Sequence, residues 1–341
     1  MLDAVLNAPS PMAGAVLGDA SLRTFVPPLH CPFPTTACHR DAAALVMRTL
    51  GWTKSFSLFP DEPGAAARVR SYSMLAARCY PATTFDRPTV ISDYYSWLFA
   101  FDDACEDLSL AGTTPEEVHA FLCRIYSVIG IGGTPGRSAD GVAGPFIEAL
   151  CDIWQRIESA TTANWRSRFV RHVADYIEGC VWEACNRNID RIPSRAVFQC
   201  MRGHTSAMYE FWDFLEFAGS FSLPDAVVEH PMVMELARAA NMVASLANDI
   251  FSLRKESSKR DIHNIVIVLQ QEEGLSREDA CRRAVVLHDA QVRHYCAVEK
   301  FLPSFGDGID RDLSRYCEGM RTWMRANYDW SAVTPRYNAI A

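Results

Sequence analysis

Between Met234 and Ala247 the chain is rich in Ala, Leu and Met and has neither Gly nor Pro. That composition predicts a buried helix. It runs directly into Asn248-Asp249-Ile250-Phe251-Ser252-Leu253-Arg254-Lys255-Glu256. Asn248, Ser252 and Glu256 recur every four residues. On a helix they drift only about 80° around the axis and form one stripe roughly 12 Å long. An amide, a hydroxyl and a carboxylate all present oxygen, a ligand set for a hard cation such as Mg²⁺ rather than for zinc. Lys255 stands beside the stripe and could reach an anion held by such a metal. The same spacing also describes the solvent face of an amphipathic helix, and the stripe alone leaves both readings open.

A second polar cluster bears on that choice. The apolar, aromatic run Tyr94-Tyr95-Ser96-Trp97-Leu98-Phe99-Ala100-Phe101 passes into Asp102-Asp103-Ala104-Cys105-Glu106-Asp107. Asp102 and Glu106 share a helix face. Carboxylates this close raise each other's pKa unless a cation sits among them. The alternative is a helix C-terminus entering the loop from Ser109 to Pro115, where acids would oppose the helix dipole.

An aromatic helix ending in Asp-Asp-x-x-Glu, with Asn-Asp-x-x-Ser-x-x-Lys-Glu 146 residues later, resembles the class I terpene synthases, above all their single-domain microbial branch. The resemblance implies that the two motifs face each other across the mouth of a helical bundle. There they would hold three Mg²⁺ ions that bind the diphosphate of an isoprenoid substrate. Asp102 would be the principal acidic ligand, with Asp103, Glu106 and Asp107 in lesser roles, and Asn248, Ser252 and Glu256 would complete the set. Arg202, 46 residues before Asn248, matches the family's diphosphate-sensing arginine. Thr205 and Ser206 match the linker and effector residues at a helix break; the family usually has glycine where Ser206 stands. Arg336-Tyr337 resembles the closing Arg-Tyr pair, with Trp330 six residues earlier, and the segment Phe25 to Pro34 resembles the family's opening. The likeness covers residues 23–341, read as one domain behind a disordered tail over 1–22.

The implied reaction is ionisation of a linear isoprenyl diphosphate followed by cyclisation of the carbocation. Arg202, Lys255, Arg336 and Tyr337 would bind the diphosphate, and aromatic faces would stabilise the cation. Phe99, one turn before Asp102, and Trp330 are the first aromatic candidates, followed by Trp97, Phe211 and Trp212; plain core packing is the alternative for each. Farnesyl diphosphate is the expected substrate and geranylgeranyl diphosphate the alternative. An isoprenyl diphosphate synthase would need a second aspartate-rich motif, and a class II cyclase an Asp-x-Asp-Asp motif that is not present. A non-catalytic helical scaffold would explain the helices but not the ordered polar motifs.

Composition narrows the remaining classes. The chain of 341 residues is 49% hydrophobic with a net charge of -8 and no basic block, which argues against a nucleic-acid partner. No apolar run is long enough for a membrane span. The first residues lack the basic region of a signal peptide. Twelve scattered cysteines without a Cys-x-x-Cys pair suit a reducing, cytoplasmic setting. A monomer or homodimer is expected.

Helical periodicity dominates and no useful strand alternation occurs. Helices are predicted over Ala42–Leu50, Ala65–Cys79, Val90–Phe101, Pro115–Ile129, Gly144–Glu158, Asn164–Arg187, Arg195–Phe217, Val228–Glu256, Asp261–Glu273, Ser276–Cys296 and Arg311–Tyr328. Pro or Gly marks the breaks. The expected architecture is all-α, one bundle of about ten or more helices around a central cavity.

Overall fold

A computed structural model describes residues 28–35, 37–59, 64–106, 114–129, 144–259 and 261–338. The expected tail over 1–22, the start of the opening segment and Asp107 lie outside the described residues, as does the Glu106 side chain. Among the described residues every regular element is an α-helix, as the periodicity predicts. In chain order they begin with α1 (Ala42–Ser55), α2 (Ala65–Cys79), α3 (Asp86–Glu106), α4 (Pro115–Ile129) and α5 (Gly144–Glu158). Next come α6 (Ala163–Asn188), α7 (Arg195–Thr205), α8 (Met208–Gly219), α9 (Asp225–Val228) and α10 (Pro231–Lys259). The series closes with α11 (Ile265–Glu273), α12 (Arg277–Glu299), α13 (Asp307–Ser331) and α14 (Pro335–Asn338).

Local chemistry sets many of these boundaries. Thr114 and Glu117 exchange side-chain bonds to each other's backbone N–H (3.3 and 3.2 Å), a capping box that starts α4. Ser276 accepts from the Asp279 N–H at 3.1 Å and starts α12. Pro231 opens α10, where its missing N–H costs nothing. Gly274 ends α11 in the left-handed conformation at φ 64°.

Most of the predicted helices differ in their bounds, and three of the differences bear on the polar motifs. The helix expected over Arg195–Phe217 is two helices, broken at Ser206 and Ala207. The one expected from Asp261 starts at Ile265, because Asn264 caps it by accepting from the Val266 N–H at 2.8 Å. Helix α3 runs past the expected end at Phe101 to Glu106, so the acidic motif is its last turn, as the helical reading of Asp102 and Glu106 implies.

The chain forms two compact units. One comprises residues 37–189 and 209–222. Within it α3 packs against α1, α2 and α5. Its core is aromatic: Tyr94 meets Phe169, Phe211 and Phe214 edge-on, and Trp97 stacks on Phe101 at 5.0 Å. Two buried ionic groups lie in this unit. Asp93 on α3 receives Arg48 and Arg156. Arg168 on α6, 3% exposed, donates to Asp213 at 2.8 Å and to Glu216, both on α8, while His172 meets Asp213 at 2.7 Å.

The other unit comprises residues 190–208 and 223–338 with the described opening segment. Helix α10 is its axis, packed against α7, α11, α12, α13 and α14. Leu246, Ile250 and Leu253 on α10 share an apolar cluster with Phe198 on α7, Ile265 and Leu269 on α11, and Ala284 on α12. The Ala-, Leu- and Met-rich run is therefore buried, as its composition predicts.

Removing Arg168 takes the guanidinium from two buried carboxylates. Arg168→Met is expected to cost roughly 3–5 kcal/mol of stability. A urea midpoint measured at unchanged m value reads this loss; a cost below about 1 kcal/mol would contradict it.

Candidate active site

In the unit built on α10, the stripe predicted from spacing exists and lies mainly inside. Ser252 is 1% and Glu256 9% exposed, and Asn248 is half-buried. The solvent-face reading is thereby excluded for Ser252 and Glu256. The Ser252 hydroxyl oxygen is buried without a hydrogen bond of ordinary geometry, yet it lies close enough to Glu256 to lower that carboxyl's pKa. Burial dominates in the other direction. Together with the nearby Asp261 and Asp249 it pushes Glu256 up to about 8. Asn264 opposes the shift by donating to Glu256 Oε2 at 2.6 Å.

Helix α7 brings Arg202 to the same end of α10. Its guanidinium donates from Nε and Nη2 to Asp249 Oδ1 at 3.0 and 2.8 Å, and from Nη2 to Asn248 Oδ1 at 3.1 Å. Nη1 reaches the Thr205 hydroxyl at 3.3 Å. Asp249, 1% exposed, also accepts from the backbone N–H of Ile265 at 3.0 Å. Its pKa is nevertheless raised by burial, with Arg202 and the Ile265 N–H opposing.

The break beyond Thr205 is built without glycine. Ser206 is helical, at φ -86° and ψ -14°, and Ala207 takes the left-handed conformation at φ 54°. A residue with a Cβ pays about 1–2 kcal/mol for that. The Ser206 hydroxyl answers at the junction, donating to Asn241 Oδ1 at 2.8 Å and accepting from the Met208 N–H at 3.4 Å.

The C-terminal residues meet this group. Tyr337 is buried, and its hydroxyl accepts from Asn248 Nδ2 at 2.5 Å. Trp330 on α13 stands edge-on to Tyr337, with ring centroids 5.5 Å apart. Arg336 and Lys255 are half-buried. Arg202, Thr205, Asn248, Tyr337 and Trp330 thus form one contiguous set with the stripe.

The acidic motif belongs to the other unit. Asp102 and Asp103 are half-buried on the last turn of α3, and Asp102 lies near Tyr176 and Cys180 of α6. Phe99, half-buried, stacks on Tyr72 of α2 at 4.3 Å. Trp97, Phe211 and Trp212 are core residues of this unit: Trp97 donates from its ring N–H to Phe146 O at 2.9 Å, and Trp212 is fully buried. Packing accounts for all three.

Among the described residues no group of three or more His, Cys, Asp or Glu side chains could hold a metal. A cation on α10 therefore depends on the mixed set of Asn248, Ser252 and Glu256. That set fits a hard divalent ion. It offers three oxygens along one face, one of them a buried hydroxyl without an ordinary partner and another from a carboxyl whose pKa is raised by burial and the neighbouring acids.

Asp249, Asn264 and Asn241 are the contributors that sequence reading missed. Asp249 was visible as a charged residue inside an apolar helix, a placement that demands a partner. Asn264 carried only the signal of a helix cap and Asn241 only its place on the polar face of α10, because the Gly203 and Ser206 partners of Asn241 are distant in sequence.

Comparison with known proteins gives the following. A family model described as terpene synthase family 2, C-terminal metal binding, matches residues 93–294. The chain is 55% identical over 311 residues to 10-epi-cubebol synthase of Sorangium cellulosum, covering 91% of this chain and 97% of that protein. It is 32% identical over 289 residues to a T-muurolol synthase of Roseiflexus castenholzii, covering 85% and 87%. That protein is named as cyclizing (2E,6E)-farnesyl diphosphate. Germacradien-4-ol synthase from Streptomyces citricolor has the same fold, with a TM-score of 0.78 at 24% identity, covering 89% and 97%.

The Glu256 environment makes stability depend on pH. Between the ordinary value of 4.5 and about 8 the folded protein holds a proton that the unfolded chain has lost. This contribution is complete below 4.5 and disappears as pH rises through about 8. Without divalent cations, Tm is expected to fall as pH rises through this range, and Glu256→Gln to flatten the decline. An identical slope in the variant would remove Glu256 as its source. Metal affinity is expected to rise over the same interval, because the ion needs the carboxylate.

Proposed function

Because the chain belongs to the terpene synthase family, as a metal-binding all-α terpene cyclase, we propose that it ionises farnesyl diphosphate and cyclises the carbocation with release of diphosphate. One observation carries this reading furthest. Arg202 reaches Asn248 on the helix face that also carries Ser252 and Glu256, which supports a guanidinium acting beside the three oxygens proposed to hold a cation.

Mg²⁺ is the proposed metal, three ions in all. Asp102 would hold it as the main acidic ligand, with Asp103 and Glu106 in lesser roles, and Asn248, Ser252 and Glu256 as the second set. When bound, Mg²⁺ would supply Lewis-acid stabilisation of the leaving diphosphate. Arg202, Lys255, Arg336 and Tyr337 would donate hydrogen bonds to its oxygens, the cationic ones the stronger. The allylic C–O bond then breaks, its electron pair departs with diphosphate, and an allylic cation remains. Substrate double bonds supply the electrons for ring closure. Phe99 and Trp330 would each offer the cation about 0.5–2 kcal/mol through their ring faces. Loss of a proton or addition of water ends the sequence. Thr205 and Ser206 would transmit the position of Arg202 to the break beside it.

Farnesyl diphosphate is preferred because the T-muurolol synthase similar to this chain is named for it. Residues 23–341 are read as one catalytic domain of a cytoplasmic enzyme, a monomer or homodimer without a nucleic-acid partner. Among the described residues no helix is long and apolar enough to cross a membrane.

Two experiments test the reading. Farnesyl and geranylgeranyl diphosphate, each with and without isopentenyl diphosphate, are incubated with the protein and Mg²⁺. A cyclic product of farnesyl diphosphate alone is expected; an elongated diphosphate appearing only with isopentenyl diphosphate would overturn the assignment. Asn248→Ala, Glu256→Ala and Arg202→Ala are each expected to lower turnover by at least about 100-fold at unchanged helical content. Native rates of diphosphate release from all three would sink the site.

A further inference from the structure

The polar stripe on α10 does not stop at Asn248. Ser245 lies one turn before it and Asn241 two turns before it, on the same face, and both are buried, Asn241 completely. A buried carboxamide has to satisfy an oxygen and two N–H groups. Asn241 Nδ2 donates to the carbonyl of Gly203 at 2.8 Å. Asn241 Oδ1 accepts from the hydroxyls of Ser206 at 2.8 Å and Ser245 at 2.9 Å. The Gly203 carbonyl can only accept, so it fixes which way the amide points.

Gly203 O is one of the last four carbonyls of α7, which the helix itself leaves without partners. Asn241 therefore supplies from α10 what the broken helix lacks. Through the Ser206 hydroxyl its hold extends to the Met208 N–H, the first of α8. The final turn of α7 is thus gripped at two levels by one face of α10. Asn248 and Asp249 hold Arg202 at the upper level, and Asn241 holds Gly203 and Ser206 at the lower.

Given the function proposed above, on which this step rests, we infer that Asn241 is a positioning residue for ionisation. Its amide fixes the break so that Arg202 meets the substrate diphosphate in register with Asn248, Ser252 and Glu256. Ser206 is matched to it, its hydroxyl donating to Asn241 Oδ1. A glycine would leave Asn241 Oδ1 with one donor fewer and the Met208 N–H without its side-chain acceptor. The break here is held by a side-chain pair, and the left-handed backbone falls on Ala207.

The test is steady-state kinetics on the full chain with farnesyl diphosphate and Mg²⁺, well below each variant's Tm. Asn241→Asp keeps an acceptor for both hydroxyls but sets an oxygen against the Gly203 carbonyl. It is expected to lower kcat by roughly 10- to 100-fold, the scale of misplacing a catalytic group by about 1 Å. KM is expected to change much less, and diphosphate release to slow in a single turnover. Ser206→Ala, which removes the hydroxyl's own contact with Gly203 O at 3.2 Å but leaves the Asn241 bond to that carbonyl in place, is expected to reduce kcat less. Combined with Asn241→Ala it should add little to that variant's own loss, because the two side chains act as one unit.

A purely structural role would lower Tm while leaving kcat per folded molecule unchanged. That result overturns the inference, as do independent, multiplicative losses in the double variant. Should the Asn241 variants fail to fold, Ser206→Ala decides: unchanged kcat and single-turnover release overturn the proposal, and a loss in both supports it. Wild-type protein that released no diphosphate from either prenyl diphosphate would refute the proposed function itself, an outcome distinct from these.

Discussion

Asp249 is a carboxylate almost sealed from water, and three helices meet through it. Its Oδ1 takes two hydrogen bonds from Arg202 of α7, and its Oδ2 takes the first backbone N–H of α11. Burial works against the charge and keeps the pKa raised, and these donors offset part of that cost. The consequence is geometric. An arginine that would otherwise sweep solvent on a long side chain is drawn to one place beside Asn248. The polar stripe therefore faces a guanidinium rather than water or an apolar wall.

Glu256 shows the other side of the same physics. Asn264 ties it to the start of α11 and, through the Asp249 carbonyl at 2.7 Å, back to α10. Two neighbouring acids and burial hold its carboxyl towards neutrality. A site that discourages a lone carboxylate favours one neutralised by a cation. The ordered Asn and Ser oxygens one and two turns away add ligands without adding charge.

Much of this was legible in the chain itself. Three helices, Ala65–Cys79, Pro115–Ile129 and Gly144–Glu158, have the bounds that the Pro, Gly and capping residues predict. The Asn248, Ser252 and Glu256 stripe follows from a spacing of four, which is a property of the helix alone. The break in α7–α8 was foreshadowed only by resemblance. Nothing in Thr205-Ser206-Ala207 announces a left-handed residue, and local propensity would carry the helix through. The aromatic candidates divided for a similar reason. Phe99, Trp97, Phe211 and Trp212 look alike in sequence, yet Trp97 packs between Phe101 and Phe146 while Phe99 remains half-exposed on Tyr72.

The sequence by itself determined the all-α class, the position of the buried axial helix and the face on which its oxygens lie. Those depend on residues three or four apart, whose geometry is set by the 3.6-residue turn. Tertiary structure alone decided that Arg202 pairs with Asp249, that Tyr337 reaches Asn248, that Asn264 holds Glu256 and that Asn241 fixes the break at Ser206. Each of those contacts closes when helices pack, and a buried polar group must then find whatever partner the packing brings within reach.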